Sequence, residues 1–253
     1  MTSRITPLRL ESFEQLPKHA RRCVFWEVDP SVLGGNEHLA DPEFEKEAWL
    51  SMVMLEWGSC GQIAMACDPD SIDPPVGAED PCLGYVFYAP PRAVPRAQRF
   101  PTGPVSPDAV LLTTIGVESA EHADTLPRGL IAAVVADLVR RGVRALEAFG
   151  CTREVAELTD LRSLDPELAA VVETVGDCAA ERCVIDADFL TDNGFKVVAS
   201  HRYFPRLRLE LEQGLGWKAG VEAALERLLE STPLKQAVGA VASPTLCAPE
   251  SAE

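Results

Sequence analysis

The sequence has no run of about 18 apolar residues, which is the minimum length of a membrane-spanning helix. It is also poor in basic residues, with 23 lysines and arginines against 39 aspartates and glutamates, and its formal charge is −16. An acidic field of this size repels phosphate backbones and anionic lipid headgroups. We therefore expect neither nucleic acid nor a membrane surface as a partner.

Metal-binding patterns are also scarce. The chain has four histidines, and its eight cysteines include no C-x-x-C pair; the tightest spacings are Cys178-x4-Cys183 and Cys60-x6-Cys67. The first 16 residues lack the basic-then-apolar pattern of a secretory signal, so we expect the cytoplasm, where thiols stay reduced. Several cysteines lie in apolar runs, so we expect them to pack in the core and assign no metal ligands.

Hydrophobic residues make up 47% of the 253 residues and charged residues 25%, which are ordinary values for a globular protein. Two proline-rich stretches, 68–81 and 90–108, are typical of loops. From residue 231 onward the chain is rich in alanine, serine, proline and threonine. We expect one domain over residues 1–230 and a disordered tail over 231–253.

Apolar periodicity divides the domain into alternating strands and helices. Strands are predicted over 5–10, 61–67, 82–88, 109–117, 143–149, 196–200 and 206–211. Helices are predicted over 11–22, 42–57, 125–141, 152–176, 185–193 and 217–229. In the helix over 42–57, one apolar side is expected to carry Phe44, Ala48, Trp49, Met52 and Leu55. The order of elements predicts an α+β fold with a mixed sheet.

The helix over 125–141 has the clearest pattern in the chain. Its apolar residues recur every three or four positions from Leu126 to Val139, and Gly142 follows as a stop. Buried strands are predicted on both sides of it, over 109–117 and 143–149. A strand, a helix and a strand within about 40 residues form a βαβ unit, whose two strands are expected to be parallel.

This order of elements resembles the GNAT superfamily of acyl-CoA-dependent N-acyltransferases. Two segments carry the resemblance. Residues 110–150 (VLLTTIGVES…TLPRGLIAAVVADLVRRGVRALEAFG) are similar to the strand, pyrophosphate loop, helix and strand of the family's acetyl-CoA motif. Residues 188–198 (DFLTDNGFKVV) resemble its closing helix with a Gly-Phe turn. The resemblance implies a mostly antiparallel sheet flanked by helices, with one parallel pair of strands that splays apart.

The resemblance also implies where acetyl-CoA binds. In the family a Q/R-x-x-G-x-G/A loop places backbone N–H groups on the pyrophosphate, and the helix N-terminus favours its negative charge. Arg128 and Ala133 fit the ends of that pattern, while Ile131 stands in place of the middle glycine. The implied cofactor-binding residues are Ile115, Gly116, Val117, Arg128, Gly129, Leu130, Ile131, Ala132 and Ala133.

For catalysis the resemblance implies direct attack of an amine on the thioester, with a backbone N–H of residues 115–117 polarising its carbonyl. Acids near strand ends are candidate bases for the amine proton, namely Glu118 and Glu56. The family often carries a tyrosine acid four residues before the glycine of the Gly-Phe turn. Leu190 stands there in this chain, and Tyr203 is the candidate to replace that tyrosine.

Two functions remain open at this point. The first is N-acetyl transfer from acetyl-CoA to a primary amine of a small molecule or protein. The alternative is a catalytically inactive GNAT-fold protein that binds acyl-CoA or a protein partner, which Ile131 and Leu190 favour. A homodimer is also left open, because the helix over 217–229 could pack on its own core or on a second subunit.

Overall fold

The computed structural model of the protein describes residues 2–29, 40–67, 81–118, 120–155 and 183–211. All of them belong to the compact unit Met1–Gln213. The helices expected within 152–176 and over 217–229, and the expected tail, fall wholly or almost wholly outside these ranges. Among the described residues, no helix combines the length and apolar character needed to cross a membrane.

The described part of the chain contains strands and helices in the order that the sequence predicts. The strands are β1 (Thr2–Pro7), β2 (Gly61–Cys67), β3 (Cys82–Ala89), β4 (Ala109–Val117), β5 (Ala145–Cys151), β6 (Ile185–Asp186), β7 (Lys196–Ala199) and β8 (Arg206–Glu210). The helices are α1 (Lys18–Arg22), α2 (Pro42–Glu56), α3 (Leu126–Arg140) and α4 (Ala187–Asp192). Bounds agree best where an apolar run is long, as in β2 and β4.

One mixed sheet organises the fold, with the strand order β1-β2-β3-β4-β5-β8-β7 and β6 paired to β5. Neighbours along that path are antiparallel except β4 and β5, which are parallel in the register Ala109↔Ala145 to Leu111↔Glu147. The predicted βαβ unit and the α+β class with a mostly antiparallel sheet are therefore confirmed.

Each face of the sheet is covered by its own core. On one face, α1, α2 and the loops near residues 25 and 100 enclose stacked aromatic rings, including Trp26, Phe100 and Phe149. On the other, the apolar side of α3 packs on alternate strand residues such as Val86, Val110 and Leu146. This two-layer burial follows from strands whose side chains alternate between two covered faces.

The apolar side predicted for α2 is only partly right. Phe44, Met52 and Leu55 are exposed, whereas the buried side carries Trp49 together with Leu50, Val53 and Lys46. Lys46 is 2% exposed because its ammonium forms an ion pair with Glu27, which lies 19 positions earlier. Periodicity in a single segment cannot reveal a lysine that is buried by a distant partner. The observed buried side is therefore rotated about the helix axis from the predicted one, with Trp49 common to both.

Two other segments differ from their predicted form. The helix expected over 11–22 is a 3-10 helix at Leu10–Gln15 followed by the short α1, with Pro17 between them. The helix expected over 185–193 begins later, at Ala187, because Ile185 and Asp186 first pair with Gly150 and Cys151 as β6. The Asp186 side chain then caps α4 by accepting the Phe189 N–H at 2.7 Å.

Strand β4 contains an irregularity that shapes the fold. Its pairing with β3 shifts between Phe87↔Thr114 and Tyr88↔Leu112, so Thr113 is an extra residue in a β-bulge. Its pairing with β5 ends at Leu111, just before the bulge. Because a bulge bends and twists its strand, β4 diverges from β5 beyond this point. The result is the splayed parallel pair that the family resemblance implies.

A buried carboxylate in β5 gives the fold a predicted pH dependence. Burial raises the pKa of Glu147, but hydrogen bonds from Ser106, Arg208 and Arg206 outweigh it and hold that pKa below its ordinary value. Stability from this group is therefore present above the unfolded-state pKa, about 4.3, and lost as pH falls through the folded-state pKa. In Glu147→Gln, which has no carboxylate to protonate, we expect the free energy of unfolding to fall less steeply than in the wild type as the pH drops below about 4. Urea denaturation at a series of pH values measures this dependence. An equally steep fall in the variant and the wild type would contradict it.

Candidate active-site cleft

An open cleft lies where β4 and β5 separate. Its walls are the end of β4, the first turn of α3, β6 with the two residues before it, and the first turn of α4. The lining residues are Thr114, Ile115, Val117, Pro127, Cys183, Val184, Ile185, Asp186 and Phe189. The bulge, the splay and the cleft are thus consequences of one local feature of β4.

The free edge of β4 supplies backbone groups to the cleft. The Glu118 N–H donates to the Leu83 carbonyl at 2.9 Å, so the backbone polar groups of Glu118 point toward β3. Hydrogen-bonded positions alternate along an antiparallel pair. The N–H and C=O groups of Ile115 and Val117 therefore point away from β3, toward the cleft. An extended ligand with amide groups can pair with this edge as an added strand does.

The N-terminus of α3 opens on the same cleft. Its first turn has no acidic residue and no side-chain cap. Pro127 has no N–H and the Gly129 N–H donates to the Thr125 carbonyl at 3.2 Å, so within this turn the N–H groups of Leu126 and Arg128 have no helical acceptor. Together with the helix dipole and the exposed Arg128 side chain, these groups form an electropositive end suited to a phosphate.

The structure brings some predicted cofactor-binding residues to the cleft and not others. Ile115 and Val117 line it, and Gly116 lies between them. The side chains of Leu130 and Ile131 are buried under α3, while Ala132 is exposed and Ala133 is half-buried. The Ile131 side chain, in the family's glycine position, therefore packs into the core rather than into the cleft.

Gly116 is required by close packing against the neighbouring strand. It pairs with Tyr85, and a Cβ at this position would lie 2.5 Å from carbon atoms of the tyrosine ring. We expect Gly116→Ala to lower the free energy of unfolding by about 1–3 kcal/mol, as overpacking does. In a double-mutant cycle measured by urea denaturation, Tyr85→Leu should relieve much of that loss. Strict additivity of the two changes would refute the clash.

The three candidate catalytic residues lie in different places. Glu118 is exposed and directly follows Val117 at the cleft. Glu56 is exposed and pairs with Arg92 at 3.8 Å. Next to it along the chain, the Trp57 carbonyl accepts from Arg141, which places Glu56 near the C-terminal end of α3, about 20 Å from the cleft at 1.5 Å per residue.

Tyr203 is also separate from the lining residues. It is 4% exposed, its carbonyl accepts the Thr152 N–H at 3.0 Å, and its ring lies 6.0 Å from that of His201. At the family's tyrosine position, Leu190 is fully buried beneath α4. In this structure neither Tyr203 nor Leu190 provides the cleft with a proton-donating side chain.

Several cleft residues were not anticipated from the sequence. Thr114 and Pro127 lie inside the segment 110–150 and Phe189 lies inside the segment 188–198, but none of the three had been assigned to a site; residues 183–186 follow β5 by more than 30 positions and belong to neither segment. The cysteines also differ from expectation. Cys183 is disulfide-bonded, which corrects the expectation of reduced thiols, whereas the other described cysteines, at 23, 60, 67, 82 and 151, form no disulfide. Burial raises the pKa of the Cys60 thiol to about 12, in keeping with an inert packing role.

Comparison with known proteins gives structural similarity only. No protein-family model and no curated protein sequence matches the chain. A solved PaiA N-acetyltransferase from Thermoplasma acidophilum, in complex with coenzyme A, is 11% identical over 83% of this chain and 99% of its own, with a TM-score of 0.44. An N-acetyltransferase from Staphylococcus aureus Mu50 is 12% identical over 84% and 100%, with a TM-score of 0.42.

A third similar structure is the ribosomal-protein-S18-alanine N-acetyltransferase from Escherichia coli, 10% identical over 84% of this chain and 96% of its own, with a TM-score of 0.40. Similarity at this level carries no argument about activity. The architecture is established independently of these comparisons, by the bulge in β4, the splay of β4 from β5 and the helix between the two strands. The chain has a GNAT-like fold. Function has to be argued from the cleft.

Proposed function

We propose that the protein is an N-acyltransferase that moves an acetyl group from acetyl-CoA to a primary amine. The observation that carries the proposal is the coincidence of two features in one cleft. The exposed edge of β4 at Ile115 and Val117 suits the amide groups of a pantetheine arm, and the N-terminus of α3, whose first turn has no acidic residue, suits the pyrophosphate.

The reaction that fits this cleft is direct transfer. The amine nitrogen attacks the thioester carbonyl, a backbone N–H of β4 stabilises the oxyanion, and the carbon–sulfur bond breaks to release CoA. Glu118, beside Val117, is the carboxylate we propose takes the amine proton, directly or through water. With Leu190 buried, the departing thiolate takes its proton from solvent or from another group.

The direct test of this function is release of free CoA thiol from acetyl-CoA in the presence of amines. A panel of polyamines, aminoglycosides and peptides with free N-termini or lysines covers the main classes of acceptor. We expect at least one amine to raise the release rate above that without amine, with an acetylated product of matching mass. Thiol release that is independent of every amine would contradict acyl transfer.

Binding at the α3 N-terminus can be tested by charge reversal. Arg128→Glu should weaken CoA binding by roughly tenfold, because a negative charge would face the pyrophosphate. The same change should raise the melting temperature slightly, since an acid suits the first turn of a helix. The matched control is Arg144→Glu, an exposed arginine beyond the other end of α3. Equal losses of affinity in the two variants, measured by calorimetry, would exclude this site.

A binding protein without turnover is the second candidate, and the fully buried Leu190 favours it. The family's tyrosine position carries a side chain with no proton to donate, while the cleft remains open. In that case CoA and acetyl-CoA should stabilise the protein equally, and no amine should accelerate thiol release.

A further inference from the structure

One cluster of metal-ligating side chains stands at the wall of the cleft. The ligand atoms of His19, Cys23 and Cys183 all lie within 4.8 Å of one another. The two sulfur atoms, from residues 160 positions apart, are 3.6 Å from each other. Cys183 also lines the cleft, so the cluster and the cleft share a wall.

Local structure fixes the three ligands in place. His19 and Cys23 are four residues apart on and just after α1, which puts them on one side of the helix. The Cys23 N–H donates to the His19 carbonyl at 2.8 Å, which closes that turn. On the other side, the Trp26 indole N–H donates to the Cys183 carbonyl at 2.8 Å and ties the two segments together.

The geometry of the cluster suits a tetrahedral thiophilic ion. Zinc binds thiolate sulfur at about 2.3 Å and imidazole nitrogen at about 2.0–2.1 Å, so two sulfurs on one zinc are about 3.8 Å apart. The observed 3.6 Å matches this without backbone movement. Two thiolates with one imidazole form a soft donor set that selects zinc over magnesium or calcium.

We propose that His19, Cys23 and Cys183 bind one zinc ion when the disulfide of Cys183 is reduced. In the structure Cys183 is disulfide-bonded and cannot act as a thiolate ligand. A dithiol reductant breaks that S–S bond, gives two electrons and two protons to its sulfurs, and becomes a disulfide itself. Zinc then displaces the thiol protons of Cys23 and Cys183 and accepts the His19 nitrogen.

A redox-gated metal site follows from this arrangement. Three protein ligands leave the fourth position of a tetrahedral ion open to water or another small ligand. The ion would tie α1 to the segment before β6, on the side of the cleft opposite β4. Its formation does not depend on whether the cleft binds CoA.

The test uses the full-length chain with Co²⁺ as a spectroscopic stand-in for zinc. After reduction and removal of the reductant, one Co²⁺ per chain should give sulfur-to-cobalt charge-transfer and tetrahedral d–d absorption, and added Zn²⁺ should displace it. The oxidised protein should give neither band. Absence of the charge-transfer band in the reduced protein would overturn the proposal.

Variants assign the ligands. Cys23→Ser and His19→Gln should each weaken Co²⁺ binding by at least tenfold, whereas Cys82→Ser, a free and half-buried cysteine outside the cluster, should not. Far-ultraviolet circular dichroism establishes that each variant is folded. If Cys23→Ser folds and binds as the wild type does, the cluster is not the site. If Cys82→Ser alone loses binding, the metal lies elsewhere.

Discussion

Replacement of Lys46 by methionine is expected to lower the free energy of unfolding by about 3–5 kcal/mol. The Lys46 side chain is 2% exposed, and its ammonium pairs with Glu27, donates to the Cys23 carbonyl at 3.1 Å and lies 4.4 Å from the centre of the Phe87 ring. Methionine keeps the apolar contacts but leaves the buried Glu27 carboxylate without its cation. Urea denaturation with an unchanged m-value measures the loss.

The double variant Lys46→Met with Glu27→Gln separates this explanation from simple loss of packing. Removing both charges also removes the uncompensated carboxylate, so we expect the double variant to be markedly more stable than Lys46→Met alone. If the double variant is as unstable as the single one, the ion pair is not what buries Lys46. The same result would also weaken our account of how α2 is oriented.

The second large effect is expected at Glu118. Glu118→Gln should slow amine-dependent CoA release by about 10²-fold, because a general base contributes at least that factor. The change keeps the side-chain shape, and the affinity for CoA should stay within about twofold, since no predicted phosphate contact is altered. Steady-state kinetics with saturating acetyl-CoA measures the rate, and calorimetry measures the affinity.

Glu121→Gln is the matched control for this variant. Glu121 is also exposed, lies on the 3-10 turn just after β4 and loses the same charge on substitution. We expect its rate to remain near that of the wild type. Equal rates in the two variants would show that the amine proton leaves through solvent and that Glu118 has no catalytic role.

The sequence predicted most of the fold because its strongest patterns are local. The run of residues 109–117 and the helix that follows bury whole faces, so apolar periodicity alone places them correctly. The orientation of α2 was missed because Lys46 is buried by Glu27, a long-range pair that no local pattern reports. The bulge at Thr113 was also missed, since an extra residue in a strand leaves no compositional mark.

The candidate site was only half predictable for the same reason. Ile115 and Val117 belong to a recognisable motif, and they line the cleft. Cys183 and Phe189 line its other wall, but only the pairing of β6 with β5 brings them there. The proximity of Cys23 to Cys183 is likewise a product of tertiary structure, with 160 positions between them.

Thermal unfolding with and without CoA tests the central claim most directly. A ligand that binds only the folded state adds RT ln(1 + [L]/Kd) to its stability, about 2.7 kcal/mol at one hundred times Kd. We predict that millimolar CoA or acetyl-CoA raises the melting temperature of the wild type by several degrees and that of Arg128→Glu by less. An unchanged melting temperature in the wild type with both ligands would contradict a CoA site in this cleft.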